Sequence, residues 1–203
     1  MEKLKKLFGS TKLGWLRLVL FSVACAVVTA VFLILPFTKN TSLANMGVTL
    51  EFWVLAAIFV AVNCEKPLEA GLKTCAFFLI SQPLIYLLQV PFSWMGWALF
   101  RYYPRWFVWT LLCFPGGMIA WRVKKGDLLS GCILGVATGF LAYSAVYFAE
   151  QMALVFPKHL LSLVFCAVTT IGLPLLLLQE KKPRIAADAV TVVIGAALWF
   201  AGA

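Results

Sequence analysis

Residues that carry catalytic or metal chemistry are scarce in this chain, which has one histidine, His159, and eight carboxylates among 203 residues. A histidine-based metal site needs a second imidazole, and cysteine ligation of zinc or iron–sulfur clusters needs close pairs. Cys25, Cys64, Cys75, Cys113, Cys132 and Cys166 make no CxxC pair, and only Cys64 lies clearly at a helix end. They read as small polarisable packing residues, so no metal and no disulfide framework is expected. HExxH, GxSxG, P-loop and GxGxxG motifs are all missing. Asp127 and Asp188 fall in different inner regions and form no obvious aspartyl pair, although both lie on the cytoplasmic side. Catalysis therefore has few candidate residues, and neither a catalytic group nor a cofactor is assigned.

Charge is scarce as well. Charged residues make up 12% of the chain and apolar ones 63%, whereas soluble domains hold about a quarter and about half. A soluble core of this composition would lack the polar surface to cover it, which leaves the bilayer as solvent. The net charge of +9 does not point to nucleic acid, because the basic residues lie in short clusters between apolar runs. Clusters so placed are topology signals.

A helix needs about 20 apolar residues, and at least about 17, to cross the hydrocarbon core. Seven segments approach this: Leu13–Leu35, Met46–Val62, Leu72–Val90, Trp106–Trp121, Leu128–Phe148, Leu160–Leu178 and Ile185–Gly202. The first follows a basic start, Glu2-Lys3-Leu4-Lys5-Lys6, and is too long for a signal-peptide core of ~7–15 residues, so it reads as a retained span. The second is doubtful, since Glu51 lies inside it and Asn63 closes it. Charge decides the matter. With seven spans and a cytoplasmic N-terminus, 13 basic residues lie inside: Lys3, Lys5, Lys6, Lys12, Arg17, Lys66, Lys73, Arg122, Lys124, Lys125, Lys181, Lys182 and Arg184. Only 4 lie outside, namely Lys39, Arg101, Arg105 and Lys158. Without the second span the counts become 8 and 9, and the bias expected of a membrane protein disappears. Aromatic belts agree, with Trp15 and Trp121 at inner ends and Trp53, Trp94, Trp97, Trp106, Trp109 and Trp199 near outer ends.

The sequence thus predicts an all-α polytopic bundle of about seven transmembrane helices, one domain over 1–203. The N-terminus is cytoplasmic and the C-terminus, at Ala203, lies outside. Short loops and the lack of soluble extensions point to a bacterial inner membrane, with the protein a multi-pass component of the cell membrane.

Polar residues within the spans are the functional candidates. Gln82, Tyr86 and Gln89 stand at i, i+4 and i+7 and share one helix face beside Pro83, which leaves the Leu79 carbonyl without its helical donor. Such a face can line a solute site, or serve as helix glue at about 0.6 kcal/mol per hydrogen bond. Glu51 is either a functional intramembrane carboxylate within reach of Arg101 or Arg105, or a helix-entry residue in the headgroups with Asn45 and Thr49 as caps. Asp188 suits the start of the last helix, reaching the interface or pairing with Arg184. Phe114-Pro115-Gly116-Gly117 and Gly172-Leu173-Pro174 are candidate helix breaks. Pro91 to Trp109 reads as a short amphipathic helix in the outer interface, with an anion-binding entrance as the alternative. Gly131, Gly135 and Gly139 form a doubled GxxxG stripe for helix packing, within the chain or in a dimer.

No motif identifies a family. The leading expectation is a small-solute binding or transport protein whose substrate meets Glu51, Gln82, Tyr86 and Gln89, with Arg101 and Arg105 beside them. The alternative is a non-catalytic accessory subunit whose glycine stripe and basic loops meet another copy or a partner membrane subunit. Expected partners are the lipid bilayer, a small-molecule solute, and a homo-oligomer or partner subunit.

Overall fold

The computed structural model of this chain describes residues 8, 12–38, 41–156 and 158–202. Lys3, Lys5, Lys6 and Lys39 of the charge balance, and the chain end at Ala203, lie outside the described residues. Long apolar runs leave the backbone no water to bond, so it bonds to itself as helix. The helices are α1 (Trp15–Ile34), α2 (Ser42–Val48), α3 (Leu50–Val62), α4 (Pro67–Gln89), α5 (Tyr103–Ala120), α6 (Leu128–Leu154), α7 (Leu160–Leu177) and α8 (Lys181–Ala201). Among the described residues there is no strand, and six helical segments are long and apolar enough to cross a membrane. Their outer faces are apolar too: Leu16, Ile171, Val192 and Phe200 are exposed, as lipid contact requires.

The expected second span is not one helix. It divides at Thr49, whose backbone is extended (ψ 159°), into α2 and a 13-residue α3. At 1.5 Å per residue α3 is about 20 Å long, short of a hydrocarbon core of about 30 Å. Local chemistry explains the break. The Asn45 carbonyl accepts from both Thr49 N and Thr49 Oγ1 at 2.9 Å, which turns the hydroxyl back on α2 and away from capping α3. The helix cap at α2 is Thr41, which accepts from Leu43 N at 3.3 Å.

Short as it is, α3 lies at the seam of the molecule. Trp53, Ala56 and Val60 pack with Leu18 of α1 and Phe77 of α4, while Ile58 and Val62 pack with Leu134 of α6 and Leu173 of α7. Trp53, placed in an interfacial belt by sequence, is instead a core residue, 2% exposed.

Both ends of the bundle can be recognised by their bonds. At the basic end Leu13 N donates to the Asn63 carbonyl (3.1 Å) and Lys12 pairs with Glu65 (2.7 Å), so α3 finishes beside the start of α1. Lys124 and Trp121 donate to the Cys64 carbonyl, and Lys73 donates to the Leu13 carbonyl and pairs with Glu69. Arg122 pairs with Asp127 (2.7 Å), which also caps α6 by accepting from Ser130 N at 2.8 Å. Arg184 donates to the Leu178 carbonyl at the end of α7 (2.8 Å) and makes no ion pair with Asp188.

Two further expectations are corrected. α4, α5 and α7 run through Pro83, Pro115 and Pro174 as continuous helix, so Pro115 and Pro174 do not break their helices; a proline forfeits one backbone bond, and the turns on either side keep theirs. The helix break is the one at Thr49. The Pro91–Trp109 stretch is not a separate amphipathic α-helix: Gly96, at φ +50°, begins a 3-10 turn over Gly96–Tyr102 that leads into α5, and Trp106 and Trp109 belong to α5 itself.

The glycine stripe of α6 is filled from within. A Cβ on Gly131 would lie 2.2 Å from the Pro183 carbonyl oxygen, and one on Gly135 would lie 2.7 Å from both the Ala187 carbonyl oxygen and Val190 Cβ. One on Gly139 would meet Ile194 at 2.7 Å. α8 therefore occupies the face that the accessory-subunit reading reserves for a partner. A Gly135→Leu substitution is expected to lower the thermal unfolding midpoint in detergent, since overpacking costs about 1–3 kcal/mol. Gly172→Leu, where nothing lies within 4 Å of the added carbon, should leave that midpoint unchanged.

Candidate functional site

At the end of the bundle opposite the basic one, the aromatic end, a cavity of ≈ 730 Å³ opens between α1, α3, α4, α5 and the turn that leads into α5. α4 contributes Gln82, Ile85, Tyr86 and Gln89, the turn into α5 contributes Arg101 and Tyr102, and the first turn of α5 contributes Arg105. Leu33 of α1 and Leu50 of α3 line it as well, with Trp106 and Trp109 of α5. The helical spacing of the α4 residues is what aims them together. Five of the six residues singled out as substrate contacts by sequence thus meet at one cavity.

Glu51 is the exception. Neighbours on a helix point about 100° apart, so Leu50 faces the cavity while Glu51 faces α7. Its cleft, shared with Thr49, Phe52, Ser162, Phe165 and Cys166, has no room for a water molecule. Glu51 is 8% exposed, and its buried Oε2 accepts no hydrogen bond. Neither arginine pairs with it: among the described residues the ion pairs are Lys12–Glu65, Lys73–Glu69 and Arg122–Asp127. Glu51 does stand in the first turn of α3, as the helix-entry alternative has it, with its side chain buried against α7.

Within the cavity the polar groups differ in what they have left to offer. Gln89 spends its amide on the Ile85 carbonyl (3.0 Å). Gln82 does not: the residue is 4% exposed and its buried Nε2 has no acceptor. Arg101 lies 5.5 Å from the Tyr102 ring centre, a cation–π contact at an exposed position. Tyr86 is braced by Phe100 (5.8 Å) and edge-on by Tyr103 (6.2 Å).

A second, narrower space lies beside the first. This slot of ≈ 330 Å³ shares Leu50, Trp106 and Trp109 with the cavity and runs between α3, α4 and α5 past Phe78 and Cys113 to Gly116. Sequence reading missed it. The signal was present in α5, where Trp106, Trp109, Cys113, Gly116 and Ala120 recur at helical spacing on one face. Bulky residues come first on that face and small ones last. Nothing lies within 4 Å of a Cβ built on Gly116, so that face stays open. Gly117 beside it serves packing, its Cβ position lying 2.7 Å from Thr74 Oγ1, and Gly71 of α4 lies as close to the Phe114 carbonyl.

The only histidine ties α2 to α7 near Glu51. In its neutral ring Nδ1 accepts from Asn45 Nδ2 at 3.1 Å, and the ring stacks on Phe148 at 5.6 Å. Ser42 strengthens the same junction, donating to the Lys158 carbonyl and accepting from Leu161 N at 3.1 Å. Burial, with the Lys158 charge beside it, holds His159 below the ordinary imidazole range. The neutral form is thus favoured in the fold, while an unfolded imidazole titrates near ~6.5. Stability is retained above that value and falls as pH drops through it, levelling off below the depressed folded value. Acidification from about pH 7.5 to about pH 5.5 should lower the thermal midpoint of the native chain more than that of a His159→Gln variant. Equal shifts would remove His159 from that role.

No protein-family model, no curated protein and no solved structure matches this chain.

Proposed function

We propose that the protein binds or transports a small solute, with the cavity of the aromatic end as its site. The observation that carries this reading is Gln82, whose buried amide nitrogen lacks an acceptor at the wall of a ≈ 730 Å³ cavity. Volumes of about 300–1,000 Å³ are those that hold small molecules. A buried donor without a partner is costly, and a ligand oxygen would satisfy it.

The same reading places the chain as a seven-span protein of a bacterial cell membrane, with the basic end cytoplasmic. Its support is that α2 and α3 together bring the chain back to the start of α1, and that Lys12, Lys73 and Lys124 gather there. The aromatic end, with its exposed Trp94 and Trp97, would then open outward. A reporter inserted between Glu65 and Lys66 should read as cytoplasmic, and one fused after Gly202 as external. A cytoplasmic reading after Gly202 would overturn the topology.

A second reading, an accessory subunit without catalysis, has one observation in its favour. A groove of ≈ 390 Å³ along α6 and α8 is lined by the small residues Ala142, Gly195 and Ala196 and by the larger Tyr143, Trp199 and Phe200, a mix of small and aromatic residues that can take a further helix. Native mass spectrometry of protein gently released from its own membrane separates the two. A small molecule retained by the native chain and lost in Gln82→Leu supports solute binding. A stoichiometric protein partner, with no retained molecule, supports the accessory role. Glu51→Gln should leave a retained molecule in place, because Glu51 faces α7.

A further inference from the structure

We propose that the cavity and slot together hold an amphiphilic anion, with its oxyanion head at Arg101, Arg105 and Gln82 and its apolar chain along α5 toward Gly116. This rests on the small-solute reading and names its substrate class.

Charge is the first argument. Two guanidinium groups line the cavity and no carboxylate does, and neither arginine has an ion-pair partner among the described residues. Glu51, the one acidic side chain nearby in sequence, faces the opposite side of α3. Guanidinium bonds carboxylate and phosphate oxygens through parallel N–H donors, and an anion between two such groups replaces the solvent they now need.

Gln82 is the second. Its buried, unpartnered Nε2 is a donor, so the group it meets must be an acceptor. Cationic and donor-only head groups are excluded by both observations together. Carboxylate and phosphate heads satisfy all three side chains.

The slot supplies the third argument. It shares Leu50, Trp106 and Trp109 with the cavity and is walled mostly by apolar side chains and glycine, Thr74 and Thr110 being the polar exceptions. A compact inorganic anion would make no use of this groove, whereas an apolar chain laid along it gains dispersion contacts with its walls. From Trp106 to Gly116 the helix rises roughly 15 Å, the length of a medium-chain alkyl group. Gly116 leaves that path open where any larger side chain would fill it.

One chemistry serves two sources, a lipid of the bilayer and a free amphiphilic acid. The test uses the full chain in phosphatidylcholine nanodiscs, with dodecanoate and dodecyl phosphate as probes and acetate, dodecanol and dodecylamine as controls. Dodecanoate and dodecyl phosphate are expected to bind, and each control at least about tenfold more weakly. Arg101→Gln and Arg105→Gln should each weaken dodecanoate by about tenfold or more, as loss of a charge-assisted bond does. Both arginines are exposed, so these variants should keep the native thermal midpoint. Gly116→Leu should weaken dodecanoate to a similar degree at an unchanged midpoint, because the added carbon meets no protein atom. Competition by phosphatidic acid added to the discs assigns the ligand to the bilayer, and dodecanoate binding undiminished by it assigns a free acid.

Dodecylamine binding as tightly as dodecanoate, or native affinity in both arginine variants, overturns the anionic class. Native dodecanoate affinity in Gly116→Leu overturns the placement of the chain. A neutral solute whose binding Gln82→Leu abolishes, together with no dodecanoate binding, overturns this proposal and leaves the small-solute reading standing.

Discussion

A helix too short to cross a membrane lies at the centre of a bundle of helices that are long enough, and both of its ends must be satisfied inside the molecule. That constraint on α3 organises the rest. A helix terminus leaves about four donors or acceptors without partners, and apolar surroundings supply none. At the C-terminal end Cys64 accepts from Lys124 and Trp121, and Asn63 accepts from the backbone of Leu13. The lysines of the basic end are therefore not only a topological signal. Lys73 and Lys124 reach backbone carbonyls, the first tying α4 to the start of α1 and the second tying the end of α3 to the turn before α6.

At the other end the break at Thr49 has two consequences on opposite faces. Because α3 begins at Leu50, the space above it between α1, α4 and α5 is left to the cavity. Because the next residue is Glu51, a carboxylate is pressed into the contact with α7, where its Oε2 finds no donor. An intramembrane carboxylate is costly enough that proteins seldom keep one without use. Here it is held at the junction where Ser42 and Asn45 of α2 meet the start of α7, and not at the cavity.

Small residues divide the work in α4, α5 and α6. Gly71 and Gly117 let α4 and α5 approach closely, and Gly131, Gly135 and Gly139 admit α8. Gly116, one position from Gly117, faces the other way and leaves the slot open. One residue type thus builds both tight contact and empty space, according to which way the helix face points.

Much of this was legible in the chain. Hydropathy determines the helical class and the long apolar helices α1 and α4–α8, since a polar backbone in apolar surroundings has few other solutions. The i, i+4, i+7 spacing likewise places Gln82, Tyr86 and Gln89 on one face, and short connection to α5 keeps Arg101 and Arg105 near them. What lies across from a face is another matter. Periodicity fixes directions about a helix's own axis, not which neighbour stands there. The filling of the glycine stripe by α8, the turning of Glu51 toward α7, the burial of Trp53 and the slot beside Gly116 each depend on how two or more helices cross. Those crossings follow from side-chain fit over the whole bundle, and only the tertiary structure decided them.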